Sequence, residues 1–284
     1  MATGGVFEYD TATRRFTLPA EHAACLTGTS SRNLAAGSQT VPMLAKRLPR
    51  VVESFRNGGG VSYAEYRPDF TEAQDASWRL LYDGLLIKGF LPAAKGLPER
   101  LKTGIRVADL GCGTGHAVNL MAREYPASTF TGYDFGEDAI ARARAEAQAM
   151  GLANARFEAL DVTRLPAGPA FDLITSFDAI HDQREPAAVL RRAAEALAPG
   201  GVYLMIEPKA SSNLEDNIGN PFAPYIYGMS VLHCMTVSLA DGGAGLGTAW
   251  GEQTARRMLA AAGFTSVEVV DAPGPQNSIY VCRR

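Results

Sequence analysis

Val107-Ala108-Asp109-Leu110-Gly111-Cys112-Gly113-Thr114-Gly115-His116 is the stretch that decides the fold class. An apolar run ends in an acid, glycine then occupies every second position, and a helical pattern, His116–Glu124, follows. Glycine tolerates positive φ and leaves backbone bare, so a ligand can lie directly against the loop. A strand–glycine loop–helix unit of this kind sits at the carboxyl end of a strand, where open α/β sheets bind their ligands.

Downstream, the texture alternates. Strand patterns are read at Thr129–Asp134, Ala155–Ala159, Phe171–Ser176 and Val202–Glu207, with helices at Glu137–Met150 and Pro186–Leu197. A helix at Gly251–Ala262 and strands at Ser266–Val270 and Ser278–Cys282 close the chain. Alternation at this spacing predicts a doubly wound, Rossmann-like α/β domain with a seven-stranded sheet, preceded by a helical region and carrying a lid insertion. Within it, Ala198-Pro199-Gly200-Gly201 reads as a type II turn into a strand.

Upstream, residues 6–18 read as a hairpin about a polar turn. Such a unit is marginal alone, so either an N-terminal portion precedes it in the intact protein or it docks on a partner. Residues 28–100 read as helical, with Val41–Phe55 and Thr71–Phe90 as helices and Thr71 as an N-cap. Residues 208–250, rich in Asn, Gly, Pro and aromatics, interrupt the alternation and are expected to cover the site as a lid. The expected division is therefore 1–27, 28–100 and 101–284.

The chain has 284 residues and a formal net charge of −3. That balance excludes an overall basic face for nucleic acid. The short basic cluster Lys46–Arg50 reads as solvated surface. Four scattered cysteines form no metal-ligand spacing and fit a reducing cytoplasm. Neither a leader segment nor a membrane-spanning run is seen.

The dinucleotide fingerprint G-x-G-x-x-G requires glycine where His116 stands, which argues against a nicotinamide oxidoreductase. Asp109 beside the loop gives nothing to a pyrophosphate but attracts a ligand carrying ammonium and sulfonium charges. Asp134 ends the next strand, placed to take both ribose hydroxyls, with Phe135 beside it to pack on adenine. Asp161 and Val162 follow the third strand, and Phe177 and Asp178 the fourth.

In this order VADLGCGTG, TGYDF, LDV and LAPGG resemble the motifs of the class I S-adenosylmethionine-dependent methyltransferases. The resemblance implies that Asp109, Gly111, Gly113 and Gly115 cradle the methionine part, that Asp134 holds the ribose, and that Asp161 and Val162 flank adenine. FDAIHDQ, SSNLEDN, HCMTVSLA and GLGTAWGEQ further resemble a bacterial group with an N-terminal winged-helix domain, of which the opening hairpin would be the wing.

The cofactor expected is S-adenosyl-L-methionine, held by Asp109, Gly111, Cys112, Gly113, Gly115, Asp134, Phe135, Asp161, Val162, Phe177 and Tyr66. Tyr66 and its neighbour Tyr63 follow three glycines, on a loop that could close over the sulfonium through cation–π contact. His181, on the fourth strand's end, and His233, in the lid, are the candidate general bases. Glu207 ends the fifth strand as a polar wall, and no metal is expected. The acceptor is read as a small, apolar or aromatic molecule, O-methylated. A non-catalytic cofactor-binding regulator is the alternative. A homodimer is compatible with the apolar lid; nucleic acid and membrane are not expected as partners.

Overall fold

The computed structural model describes residues 1–166 and 168–284. The chain opens with a two-stranded antiparallel hairpin, β1 (Glu8–Asp10) and β2 (Arg15–Thr17), with Tyr9 packed on Phe16. Helix α1 (Ala20–Leu26) is tied back to it by His22 Nδ1, 2.9 Å from the Val6 carbonyl. Three helices follow: α2 (Thr40–Asn57), the short α3 (Tyr63–Tyr66) and α4 (Asp69–Leu81). Helix α4 begins two residues before Thr71, which is therefore not its cap, and continues as a wider π-type stretch, Tyr82–Phe90. The Lys46–Arg50 cluster is ion-paired at the surface, Lys46 and Arg47 with Asp69 and Arg50 with Glu65.

After α5 (Leu97–Thr103) the alternation begins: β3 (Arg106–Leu110), α6 (His116–Glu124), β4 (Thr129–Asp134), α7 (Glu137–Ala149), β5 (Ala155–Ala159), β6 (Phe171–Phe177), α8 (Pro186–Ala196) and β7 (Leu197–Pro208). The lid segment holds α9 (Ala223–Met229) and α10 (Met235–Ala240), joined by a π-type turn over Ser230–Cys234. Then come α11 (Gly251–Ala261), β8 (Ser266–Asp271) and β9 (Asn277–Arg283).

The strands form the expected seven-stranded sheet in the order β5-β4-β3-β6-β7-β9-β8. All pairs are parallel except those made by β9, which runs antiparallel to β7 and β8. Helices cover both faces, so the central strands bury both sides. On β7, Val202, Leu204 and Ile206 enter one core with residues of α6 and α7, while Tyr203 and Met205 enter the other with α8 and α11. A third, smaller core joins Met43, Leu44 and Val51 of α2 to Tyr66, Phe70, Met229 and Val237, so the N-terminal helices and the lid form one body.

Strand order reverses between β3 and β6, so the connections leaving their carboxyl ends turn in opposite directions along the sheet and leave the crevice that such sheets use for ligands. Among the described residues no helix is long and apolar enough to cross a membrane.

Candidate active site

The crevice is a cleft of about 390 Å³. Its floor is the glycine loop. Gly113 stands at φ +53° with open space where a Cβ would be, so bare backbone faces the cleft. Gly111 and Cys112 line it too. Gly115 does not. At φ +76° it caps α6, and a Cβ there would lie 2.5 Å from both Ala143 Cβ and the Phe157 ring. Its glycine is required by the packing of the loop against α7, not by the ligand.

A left-handed non-glycine residue costs about 1–2 kcal/mol before any collision is counted. Gly115→Ala should therefore lower Tm by several degrees, at about 2–4 °C per kcal/mol in a chain of this size. A thermal melt within 1 °C of wild type, an order-of-magnitude limit on that scale, would contradict this packing role.

His116, in the place of the fingerprint's third glycine, is buried in an ionic network. Its Nδ1 lies 2.9 Å from Glu146 and its Nε2 3.0 Å from Asp83, while Arg79 of α4 donates to Glu146 at 2.6 Å. Burial would raise the Glu146 pKa, but hydrogen bonds from His116 and Arg79 outweigh it and hold it at about 2. The network clamps α4 to α6 and α7 behind the loop. In front of it Asp75 contacts the Thr114 hydroxyl.

Asp134 closes one end of the cleft. Its two carboxylate oxygens accept from Gly113 N–H at 2.9 Å and Gly136 N–H at 2.8 Å, which fixes the carboxylate at the strand end with lone pairs to spare. Phe135, half exposed, meets the Tyr63 ring edge-on at 5.4 Å. Leu160, Asp161, Val162 and Thr163 form the adjoining wall, with Asp161 held by the Thr163 N–H and hydroxyl. At the other end stand Phe177, Asp178, Trp78 and Tyr82.

Three expected cofactor residues lie elsewhere. Gly115 is accounted for above. Asp109 is buried and accepts from the Thr175 hydroxyl at 2.6 Å, and burial pushes its pKa up to about 7; it underpins the loop instead of lining the cleft. Tyr66 is fully buried and donates to the Leu232 carbonyl at 2.5 Å, so Tyr63 is the tyrosine of that loop that reaches the cleft. Alternation of the sheet turns Asp109 inward, and the one turn of α3 sends its two tyrosines to different neighbours.

His181 and His233 are also separated by the fold. His181 is buried at the head of a second cavity, with Nδ1 2.5 Å from Glu207 Oε2 and Nε2 3.2 Å from Asp182 Oδ1. Burial alone would lower its pKa, but the Asp182 and Glu207 carboxylates more than offset that and hold it well above the ordinary value. His233 lines neither cavity. It is fully buried, stacked on Phe70 at 3.6 Å, has no hydrogen-bond partner, and burial lowers its pKa to about 4. It is a neutral packing residue of the third core, which corrects its expected catalytic role.

The second cavity, about 430 Å³, shares Phe70, Gln74, Trp78, Asp178 and Asp182 with the first. Leu34, Val41, Leu81, Phe222, Ile226 and Met229 contribute its apolar wall. Helix α4 thus supplies the partition between the two spaces: Gln74 Nε2 and Trp78 Nε1 both donate to Asp178 Oδ2, at 3.0 and 3.2 Å. Gln74 and Asp75 are not among the site residues expected from the sequence. Their polar positions on the same helical face as Trp78 were the available signal.

The cleft suits S-adenosylmethionine on the observed donor set. Seven carboxylates line it (Asp75, Asp134, Asp161, Asp178, Asp182, Glu185 and Asp241) against one arginine, Arg184. Such a lining favours a cationic ligand and opposes a pyrophosphate. Of the residues that line the cleft, Asp134 would hold the ribose, the Gly111–Gly113 backbone the methionine part, and Phe135 and Val162 the base.

Comparison with known proteins agrees. A family model described as a methyltransferase domain matches residues 101–263, more than half of the chain. The trans-aconitate 2-methyltransferase of Variovorax paradoxus (strain S110) is 37% identical over 113 residues, which is 39% of this chain and 40% of that protein. The match thus spans about two fifths of that curated relative. An O-methyltransferase family protein from Burkholderia thailandensis superposes with a TM-score of 0.67 at 19% identity, covering 100% of this chain and 81% of that one. An O-methyltransferase of neocarzinostatin biosynthesis, in complex with S-adenosylmethionine and 2-hydroxy-5-methyl naphthoic acid, gives 0.63 at 18% identity, covering 99% and 82%. At these identities the two structures share the fold. With the domain model matched over most of the α/β unit, the chain belongs to the methyltransferase-domain family.

Proposed function

We propose that this methyltransferase acts on a hydroxyl group of a small, apolar, aromatic acceptor. The observation that carries the reading is the second cavity: a largely apolar chamber that shares a wall with the cofactor cleft and has one histidine in its lining. A module that only bound cofactor would have no use for such a chamber.

S-adenosylmethionine, when bound, supplies a methyl group on a sulfonium that leaves as a neutral thioether. The protein's share is then largely alignment, which can contribute on the order of 7–11 kcal/mol when reactants are well oriented. Trp78, Phe222 and Ile226 would hold a flat ring, and the shared wall would point its hydroxyl toward the cleft.

His181 is the general base in this reading. Glu207 accepts the hydrogen bond from Nδ1–H, and Nε2 is the nitrogen that would take the proton of the acceptor's hydroxyl; the imidazolium so formed is stabilised by Glu207 and by Asp182, 3.2 Å from Nε2. The same carboxylates raise the His181 pKa, so turnover should rise as pH climbs through that elevated value.

Glu207→Gln removes one of the charges that raise that pKa. The rising limb of the kcat–pH profile should then move to lower pH while the plateau falls. A profile whose midpoint stays in place would show that Glu207 does not tune the base.

The assay for the reading as a whole is transfer of labelled methyl to a panel of naphthols and phenols, with trans-aconitate as the contrasting acid. Methyl ethers are the expected products. Turnover confined to trans-aconitate, or methyl found on carbon or on carboxylate oxygen, would overturn it.

A further inference from the structure

We infer that the acceptor chamber selects molecules that present hydrogen-bond donors and carry no carboxylate, with Asp178 as the residue that receives the donor. The inference rests on the acceptor-chamber reading above and deepens it.

Among the described residues lining the chamber, none is lysine or arginine, and the charged side chains are Asp178, His181 and Asp182. His181 can carry a positive charge, but carboxylates already surround it. Glu207 and Asp182 lie at 2.5 and 3.2 Å, and Asp178 Oδ1 lies 3.9 Å from Nδ1. An entering anion would find no unpaired cation and two acids. A buried charge without a partner is strongly disfavoured, and like charges in a dry site add to that cost.

Of these two acids Asp178 is short of a donor: its Oδ1 is buried and lacks a hydrogen-bond partner, whereas Asp182 Oδ1 faces His181 Nε2 at 3.2 Å. Asp178 is held at φ +54°, a left-handed conformation that few non-glycine residues adopt, with Asp and Asn the best tolerated. Gln74 and Trp78 engage its Oδ2 and so orient Oδ1. It stands in the wall common to cleft and chamber, where the acceptor's reacting end must lie. A second hydroxyl or an amino group beside the methylated oxygen would supply the donor that this carboxylate lacks, through a charge-assisted bond.

This sets the chain apart from the relatives it matches in part. Trans-aconitate is an acid, and the hydroxy-naphthoic acid seen with the neocarzinostatin enzyme carries a carboxylate.

The test uses a matched pair, 2,3-dihydroxynaphthalene and 3-hydroxy-2-naphthoate, which share ring and hydroxyl and differ in the neighbouring group. Binding to the full chain is measured by calorimetry with S-adenosylhomocysteine present, and turnover with S-adenosylmethionine. The diol should be preferred by about 10-fold or more in Kd and in kcat/KM. Asp178→Asn, which suits the same backbone conformation, should reduce that preference at least several-fold, mainly by weakening the diol.

Equal or better binding of the naphthoate, or an unchanged preference in Asp178→Asn, overturns the inference and leaves the chamber reading standing. Failure of both compounds to bind, with S-adenosylhomocysteine bound normally, overturns the chamber reading and the inference with it.

Discussion

Replacing His181 by alanine should lower kcat by about 10²–10⁴-fold with a hydroxyl acceptor, the range a positioned general base supplies. Cofactor affinity should stay within about 2-fold of wild type on the ordinary scatter for residues without contact, because His181 lines the acceptor chamber and not the cleft. The separation of these two effects is the informative part. A residue that merely supported the fold would move both.

Alanine also leaves Glu207 buried without its partner, a loss of about 3–5 kcal/mol in comparable sites. His181→Asn keeps a donor toward Glu207 and serves as the folded control, with turnover lost and the thermal melt largely restored. If kcat is retained in the asparagine variant, His181 is not the base.

The second large effect is expected at Asp134. Two charge-assisted hydrogen bonds to ribose hydroxyls are worth about 1.5–3 kcal/mol each, so Asp134→Ala should weaken S-adenosylmethionine binding by about 10²-fold or more. Part of that loss would come through the protein itself, since Asp134 also fixes the N–H groups of Gly113 and Gly136. Asp134→Asn can still accept from one of them and should fall between. Adenosine affinity should fall in parallel with that of the cofactor in Asp134→Ala, because both engage the same carboxylate. Indistinguishable cofactor affinities in the three proteins would remove Asp134 from the ribose.

How much of this was legible beforehand depended on whether a residue's role was local. The glycine loop, the strand ends at Asp134 and Phe177 and the alternation behind them are short-range patterns, and they stand within a few residues of where the periodicity put them. Even Gly200, at φ +73°, sits where the Pro-Gly turn required it. Asp109 and Tyr66 were misplaced for a different reason. A side chain's direction at a strand end or on a single helical turn is set by the layer it meets, and Thr175 and Leu232 lie far along the chain. His233 reads as a catalytic residue only while its surroundings are unknown; Phe70, Tyr63 and Tyr66 close around it.

The partition made by α4 was the largest omission. Gln74, Asp75 and Trp78 belong to a helix outside the α/β unit, and nothing in its own pattern says that it leans over the crevice. That placement comes from the Arg79–Glu146–His116 network and from the packing of Trp78 and Tyr82 against Phe177. Such long-range contacts are also why His116, an apparent fault in the glycine fingerprint, is a structural element here.

The central claim is that one cleft holds the cofactor with its sulfur facing a separate acceptor chamber. A crystal structure of the S-adenosylhomocysteine complex tests it most directly. The ribose hydroxyls should lie on Asp134, the base between Phe135 and Val162, and the sulfur against the shared wall formed by Gln74, Trp78 and Asp178. Density placing the sulfur away from that wall, or the ribose away from Asp134, would contradict the account.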